Sequence, residues 1–165
     1  MLAVISPAKK LQAPDRVVQV TQPAFLEDAA QLAQVMKSKT PTDLRSLMGI
    51  SEKLAELNVE RFQLFTTPFT PENASPASLM FAGDTYLGLD AASLSDDDLR
   101  FAQQTLGILS GLYGVLRPLD LMQPYRLEMG TRLKNARGAD LYAFWGERIT
   151  NALNTLTEGH RNRAV

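Results

Sequence analysis

The stretch from Leu106 to Leu116 constrains the fold, because it is almost entirely apolar and carries three glycines. A strand that is buried on both faces shows such a continuous apolar run, and glycine lets the chain turn sharply where the strand ends. We therefore expect a buried strand and a tight turn here. A second short apolar run, from Leu2 to Ser6, stops at Pro7 and predicts a buried first strand that leads into a turn.

Segments with helical periodicity separate these strands, which predicts a mixed α/β (α+β) fold in a single domain over residues 1–165. Pro23 opens the first predicted helix, and residues 40–62 show two short helical patterns joined at Gly49. Residues 66–78 are rich in Thr, Pro, Ser and Asn, which predicts a surface loop. The other predicted elements are a strand at residues 79–82, a helix capped by Ser95 and a last helix from about Asp140 to Leu156.

The composition excludes several kinds of chemistry. The chain has no cysteine and its one histidine is His160, so it cannot hold a disulfide, a thiolate nucleophile, an iron–sulfur cluster or a two-histidine metal site by itself. Asp96, Asp97 and Asp98 are adjacent, but acidic residues in the first turn of a helix complement its dipole. We therefore interpret them as a helix start, and predict neither a bound metal nor a cofactor.

The charge of the chain is small, with a formal net value of −1 and a pI of about 5.8. Two zones are nevertheless basic, each with a local balance of +2: the first twenty residues and residues 117–148. They could converge on one cleft, or be separate solvated faces. No apolar run is long enough to cross a membrane, and the start lacks the basic leader of a secretory signal. We therefore predict a cytoplasmic protein without a membrane partner.

A possible phosphate site lies between the two short helices of residues 40–62. Gly49 and Ile50 form the predicted turn, Ser51 is the expected N-cap of the second helix, and Lys53 follows. This pattern resembles the helix–hairpin–helix element of DNA-binding proteins, although Ser51 stands where that element usually has a second glycine. Free N–H groups at a helix N-terminus can bind a phosphate oxygen, and lysine adds a positive charge. An ordinary helical hairpin is the alternative.

Polar residues interrupt the apolar surroundings between Leu109 and Gly130 at irregular spacing, which costs free energy unless they bind one another or a ligand. Pro118 and Pro124 favour extended backbone at the residues before them, so that these side chains are held in fixed positions. The alternative to a ligand site is two internal ion pairs, Arg117 with Asp120 and Arg126 with Glu128.

Two sequences in this region resemble the bacterial YaaA family of peroxide stress proteins: SGLYGVLRPLD at residues 110–120 and PYRLEMG at residues 124–130. Further similar segments are ISPAK at 5–9, FAGDTYLGL at 81–89 and LYAFW at 141–145. Members of that family continue past the end of this chain into further strands and a basic region. We therefore expect an incomplete family-specific domain that lacks C-terminal strands, and interpret residues 163–165 as the entry to the next strand.

The resemblance implies a cytoplasmic DNA-binding protein of the response to hydrogen peroxide, linked to limiting unincorporated iron. It implies one family-specific domain with a helix–hairpin–helix-like element and a positively charged cleft. The residues that we expect to contact DNA are Gly49, Ile50, Ser51, Lys53, Lys9, Arg117, Tyr125 and Arg126.

Two hypotheses for this cleft follow. In a binding module, cationic groups hold phosphates while Tyr86, Tyr113 or Tyr125 stacks on an exposed base. In a nucleic-acid-processing enzyme of the glycosylase or lyase type, Asp84 and Lys9 would be catalytic. The lysine nucleophile would need burial beside Arg117 or Arg126 to be active at neutral pH.

Overall fold

The protein has a mixed α+β fold in a computed structural model that describes residues 1–14 and 16–158. The strands are β1 (Ala3–Ile5), β2 (Lys10–Leu11), β3 (Ser75–Pro76), β4 (Phe81–Ala82), β5 (Leu106–Ser110), β6 (Gly114–Leu116) and β7 (Leu121–Met122). The helices are α1 (Leu26–Lys37), α2 (Pro41–Met48), α3 (Glu52–Leu64), α4 (Ala77–Met80), α5 (Asp84–Leu89), α6 (Asp96–Thr105), α7 (Leu141–Trp145) and α8 (Arg148–Thr157). The predicted fold class is confirmed.

The largest sheet contains β1, β5 and β6 in that order. β1 runs parallel to β5, with Ala3 opposite Leu106, and β5 turns back into the antiparallel strand β6. The apolar run around Gly114 is therefore a buried hairpin, as predicted, and Gly114 supplies the positive φ of 69° that its turn requires. Because β1 and β5 are parallel, the segments that follow them leave the sheet at the same edge.

Two smaller ribbons complete the strand pairing. β2 pairs with β4 in antiparallel fashion, and β3 pairs with β7. The first ribbon places Lys10 opposite Ala82, so the segment after β1 lies beside the segment that precedes α5.

Local capping chemistry explains where α2, α3 and α6 begin. Thr40 and Asp43 form a reciprocal capping box at α2, Pro41 occupies its first turn, and Ser51 caps α3. Ser95 and Asp98 form a second box at α6, which confirms that the three aspartates mark a helix start. Among residues 1–14 and 16–158, no three potential ligands cluster as a metal site would require.

One large hydrophobic core joins the sheet to the helices. Its largest fully buried side chains are Trp145, Tyr113, Phe62, Phe81 and Phe144. Burial of apolar surface of this kind contributes about 25 cal/mol per Å² to folding. Across the ranges described, no helix has both the length and the apolar character needed to cross a membrane.

Several predicted elements differ from the structure. The first strand, β1, is not buried: Val4 is 41% exposed, because β1 is an edge strand that pairs only with β5 among the described residues. Residues 66–78 are not simply a surface loop, since they include β3 and the buried first residues of α4. The predicted strand at residues 79–82 is half helix, because α4 continues to Met80.

The first and last predicted helices also have bounds that differ from the prediction. The first begins at Leu26, three residues after Pro23. The last is two helices, α7 and α8, because Gly146 adopts a φ of 49° that ends α7. Residues 163–165, where a further strand was expected, lie outside the described residues.

Candidate functional site

A cavity of about 320 Å³ lies at the edge of the sheet where β1 and β5 both end. The parallel pairing explains its position, because the chain after Ile5 and the chain after Ser110 diverge there, and residues 125–129 close the third side. Most of its surface is apolar. The residues that line it are Ser6, Pro7, Ala8, Lys9, Leu109, Ser110, Gly111, Tyr125, Arg126, Leu127, Glu128 and Met129.

Two buried hydroxyl groups lie together in the wall of this cavity. Ser110 Oγ and Tyr125 Oη are 2.6 Å apart, and the Tyr113 N–H donates to Ser110 Oγ at 2.9 Å. Burial raises the pKa of Tyr125 well above its ordinary value, against the lowering effect of the hydrogen bond with Ser110. Tyr125 is therefore a neutral hydroxyl at any physiological pH.

Gly111 permits the close approach of the two walls. A Cβ atom at this position would lie 2.3 Å from the carbonyl oxygen of Leu127, which is closer than real Cβ contacts come. The carbonyl of Gly111 in turn accepts a hydrogen bond of 3.0 Å from Trp145 Nε1, which anchors this turn to α7. Only glycine fits between these contacts.

Charged groups gather at the open side of the cavity. Lys9 Nζ is 3.1 Å and Arg126 Nη2 is 3.4 Å from the same carboxylate oxygen of Glu128. The side chain of Lys9 is 63% exposed and that of Glu128 is 49% exposed, whereas Arg126 is only 17% exposed. The buried Arg126 Nε has no hydrogen-bond acceptor among the described residues. Burial, and secondarily the charge of Arg126, lower the pKa of Arg61, so a further cation lies near this group.

The structure thus brings together three of the residues predicted to line one cleft, Lys9, Tyr125 and Arg126, but not the fourth. Arg117 is outside the cavity lining, and it pairs with the buried Asp120 at 3.1 Å. The two basic zones meet at Lys9 and Arg126, which both pair with Glu128. The alternative of plain ion pairs holds for Arg117, while Glu128 is shared by two cations.

The tyrosines predicted to stack on an exposed base are all buried. Tyr113 is fully enclosed, and its hydroxyl donates to the carbonyl of Gln123. Tyr86 donates to the carbonyl of Ser6, and Tyr125 bonds to Ser110. All three rings pack in the core, so none presents a free face to a base in this structure, and contact of Tyr125 with DNA stays a prediction.

The lyase hypothesis also meets a different geometry from the one it requires. Asp84 is the exposed first residue of α5, and the β2–β4 pairing does bring its segment beside that of Lys9. Lys9, however, is exposed and paired with Glu128, rather than buried beside Arg117 or Arg126. Among the residues that the structure describes, Lys9 lacks the enclosure that would make it a nucleophile.

The hairpin of residues 40–62 consists of α2 and α3, which pack against each other. Gly49 adopts the left-handed conformation with φ 62° and ψ 40°, and Ser51 Oγ accepts the N–H of Leu54. Ser51 and Lys53 are exposed, whereas Ile50 packs partly against the core. The two helices and the glycine turn are confirmed, and the contact of this hairpin with DNA stays a prediction.

Two features of the cavity were missed by reasoning from the sequence: the bond between Lys9 and Glu128, and the pair of Ser110 with Tyr125. A partial signal was present. In an extended chain residues two apart lie on the same side, so the spacing of Arg126 and Glu128 predicts that they share a face. Nothing in the sequence indicated that Lys9 would bond to Glu128.

The protein has a mixed α+β fold with a mainly apolar cavity bordered by charged groups. The comparisons with known proteins agree with the predicted family. The family profile described as peroxide stress protein YaaA matches residues 1–164, so the chain belongs to this family. A UPF0246 protein of Azoarcus sp. is 58% identical over 98% of this chain and 62% of its own length. One of Alteromonas mediterranea is 59% identical over 100% of this chain and 64% of its own length. The chain therefore spans less than two thirds of these relatives.

Proposed function

We propose that the chain acts in the peroxide stress response by binding DNA, with a backbone phosphate held at the α2–α3 hairpin. The observation that carries this proposal is the exposed N-terminus of α3, which follows the left-handed Gly49. In the described part of the chain, the N–H groups of Glu52 and Lys53 have no acceptor. In cells, we expect this binding to protect DNA alongside the lowering of unincorporated iron that the family resemblance implies.

The hairpin has the properties that binding a phosphate of the duplex backbone requires. A helix N-terminus carries a partial positive charge and presents its N–H groups to an anion. No atom lies within 4 Å of the position of a Cβ at Gly49, so a strand of DNA can approach the turn closely. Lys53 adds a cation on the same exposed side, whereas Glu52 contributes the opposing charge.

Packing is the competing explanation of the same hairpin. A glycine in the left-handed conformation commonly ends a helix, and a serine commonly begins one, without any ligand. Ile50 packs against the core whichever explanation holds. The two explanations differ only in what a charge at the turn does to affinity for DNA.

We expect Gly49→Asp to weaken binding of duplex DNA about tenfold, whereas Gly49→Asn leaves it within about twofold, because the two side chains differ only in charge. Both residues tolerate the left-handed conformation. Fluorescence anisotropy with labelled duplex, bubble and single-stranded DNA over a salt series measures the effect. Lys53→Glu should lower the slope of log K against log salt by about 1, whereas Arg100→Glu on α6 should not.

Circular dichroism of each variant confirms that the fold is retained. Equal affinity of Gly49→Asp and Gly49→Asn would show that the hairpin is a packing element. The Azoarcus relative at its complete length is measured beside this chain. Absence of salt-sensitive binding in both proteins would overturn the proposal.

A further inference from the structure

We infer that the cavity between β1, β5 and residues 125–129 binds a nucleoside monophosphate group, and that Glu128 competes with the phosphate for Lys9 and Arg126. The inference deepens the proposed function and rests on it for the class of ligand, because such a group is the repeating unit of DNA. The same chemistry is offered by a free mononucleotide and by one unpaired nucleotide of a DNA strand.

The size and surface of the cavity favour a single small ligand. Its volume of about 320 Å³ lies at the lower end of the roughly 300–1,000 Å³ of small-molecule sites. A stretch of duplex cannot enter such a space. The walls from Pro7, Leu109, Leu127 and Met129 are apolar, which suits the face of a planar base.

A hydrogen-bond count at the buried hydroxyl pair points to a ligand. Ser110 and Tyr125 together carry two hydroxyl hydrogens, and one of them is used in the 2.6 Å bond that joins the two oxygens. Ser110 Oγ accepts, rather than donates, in its other bond, from the Tyr113 N–H. Whichever hydroxyl donates, the second hydrogen has no acceptor among the described residues. A carbonyl or ring nitrogen of a base supplies one.

The cations at the charged side of the cavity suit a phosphate group better than they suit one carboxylate. Lys9 and Arg126 both point at a single oxygen of Glu128, and Arg61 lies near enough for its pKa to be lowered by burial and by the charge of Arg126. Two cations thus face one carboxylate oxygen, and a third cation lies near Arg126. A phosphate offers more oxygens and up to two negative charges, and charge-assisted bonds of Arg and Lys to phosphate are among the strong ones.

Arg126 carries a further sign of an incomplete site. Its Nε is enclosed by protein and lacks an acceptor among the described residues, while its Nη2 reaches Glu128 only at 3.4 Å. An unsatisfied buried donor costs free energy, so a small movement of this side chain towards a bound oxyanion is favourable. Glu128 is half exposed and can turn into water when the phosphate takes its place.

The test uses thymidine 5′-monophosphate, thymidine and inorganic phosphate as probes, with binding measured by calorimetry and by ¹⁵N chemical-shift changes. We expect Glu128→Gln to bind the monophosphate three- to tenfold more tightly and thymidine unchanged. Glu147→Gln, which removes an exposed carboxylate at the start of α8, should change neither. Arg126→Gln should weaken binding of the monophosphate at least tenfold and leave binding of thymidine unchanged.

Unchanged affinity for the monophosphate in Glu128→Gln would overturn the competition. Absence of monophosphate binding by both this chain and the Azoarcus relative would overturn the site. If the monophosphate binds no more tightly than inorganic phosphate, the inference that the ligand is a nucleotide is overturned. A duplex with one unpaired thymidine, compared with a fully paired duplex, distinguishes the two sources. If the protein binds the duplex with the unpaired thymidine more tightly, and this difference in affinity increases in Glu128→Gln, the ligand is a nucleotide of DNA. If the two duplexes bind equally while the monophosphate binds, the ligand is a free nucleotide.

Failure of this inference and failure of the proposed function give different results. Gly49→Asp should leave binding of the monophosphate unchanged, because the hairpin is not part of the cavity lining. If no duplex binds but the monophosphate responds to Glu128→Gln, the cavity site stands and the hairpin proposal falls. If duplex binds through the hairpin and the monophosphate does not bind, the reverse holds.

Discussion

Asp120→Ala should lower the free energy of unfolding by about 2–4 kcal/mol, because it removes a buried carboxylate on which several donors converge. Asp120 is 1% exposed. Its oxygens accept from the N–H of Arg117 at 2.8 Å, from Arg117 Nη2 at 3.1 Å and from Thr21 Oγ1 at 2.5 Å. Gln103 of α6 also reaches it, at 3.4 Å. The carboxylate therefore joins three segments that are distant in sequence.

Urea unfolding followed by circular dichroism measures the loss. Arg117 is only one third exposed, so most of its charge cannot regain full hydration when its partner is removed. Asp97→Ala is the matched control, since Asp97 and Arg100 form an exposed pair with the same i, i+3 spacing. An exposed pair of this kind contributes less than about 1 kcal/mol. Equal losses in the two variants would show that Asp120 is not a structural centre.

Local signals explain what the sequence predicted well. The α2–α3 hairpin, the cap at Ser95 and the turn at Gly114 each depend on a few neighbouring residues. Capping oxygens must lie three residues before the N–H that they accept, and glycine must supply positive φ at a turn. Such requirements can be recognised without knowing the rest of the fold.

The errors come from contacts between distant segments. β1 has an apolar sequence, but its exposure depends on how many strands flank it in the sheet. The predicted strand at residues 79–82 begins as helix, because β3 and β4 on either side fix the path of the chain. The burial of Tyr86 and Tyr113 has the same cause: a tyrosine on a motif can be a ligand platform or a core residue, and only packing decides.

The candidate cavity was predictable in part. The sequence indicated that Lys9 and Arg126 could converge, and they do, on either side of Glu128. Arg117 was assigned to the same cleft, but the turn at Pro118 directs it to Asp120 instead. Asp120 lies three residues from Arg117 in a tight turn and is therefore closer to it than a ligand in the cavity. This proximity explains why Arg117 is absent from the cavity lining.

Gly111→Ala should lower the free energy of unfolding by about 2–4 kcal/mol, because the added methyl group would overlap backbone atoms that cannot rotate away. The new Cβ would lie 2.3 Å from the oxygen of Leu127 and 3.0 Å from the carbonyl carbon of Glu128. The segment after Tyr125 must then move as a whole. Thermal and urea unfolding of the variant measure the loss.

Gly88→Ala is the matched control, since Gly88 lies in α5 with no atom within 4 Å of a Cβ. Alanine is favoured over glycine in a helix by about 1 kcal/mol, so this variant should be as stable as the parent or more so. Gly111→Ala should also weaken thymidine 5′-monophosphate at temperatures where the variant is folded, because the displaced wall carries Arg126 and Glu128. A variant of full stability would mean that residues 127–128 yield freely and do not form a fixed wall. In that case the geometry at Glu128 would not be set before the ligand binds, and the competition inferred above would lose its structural basis.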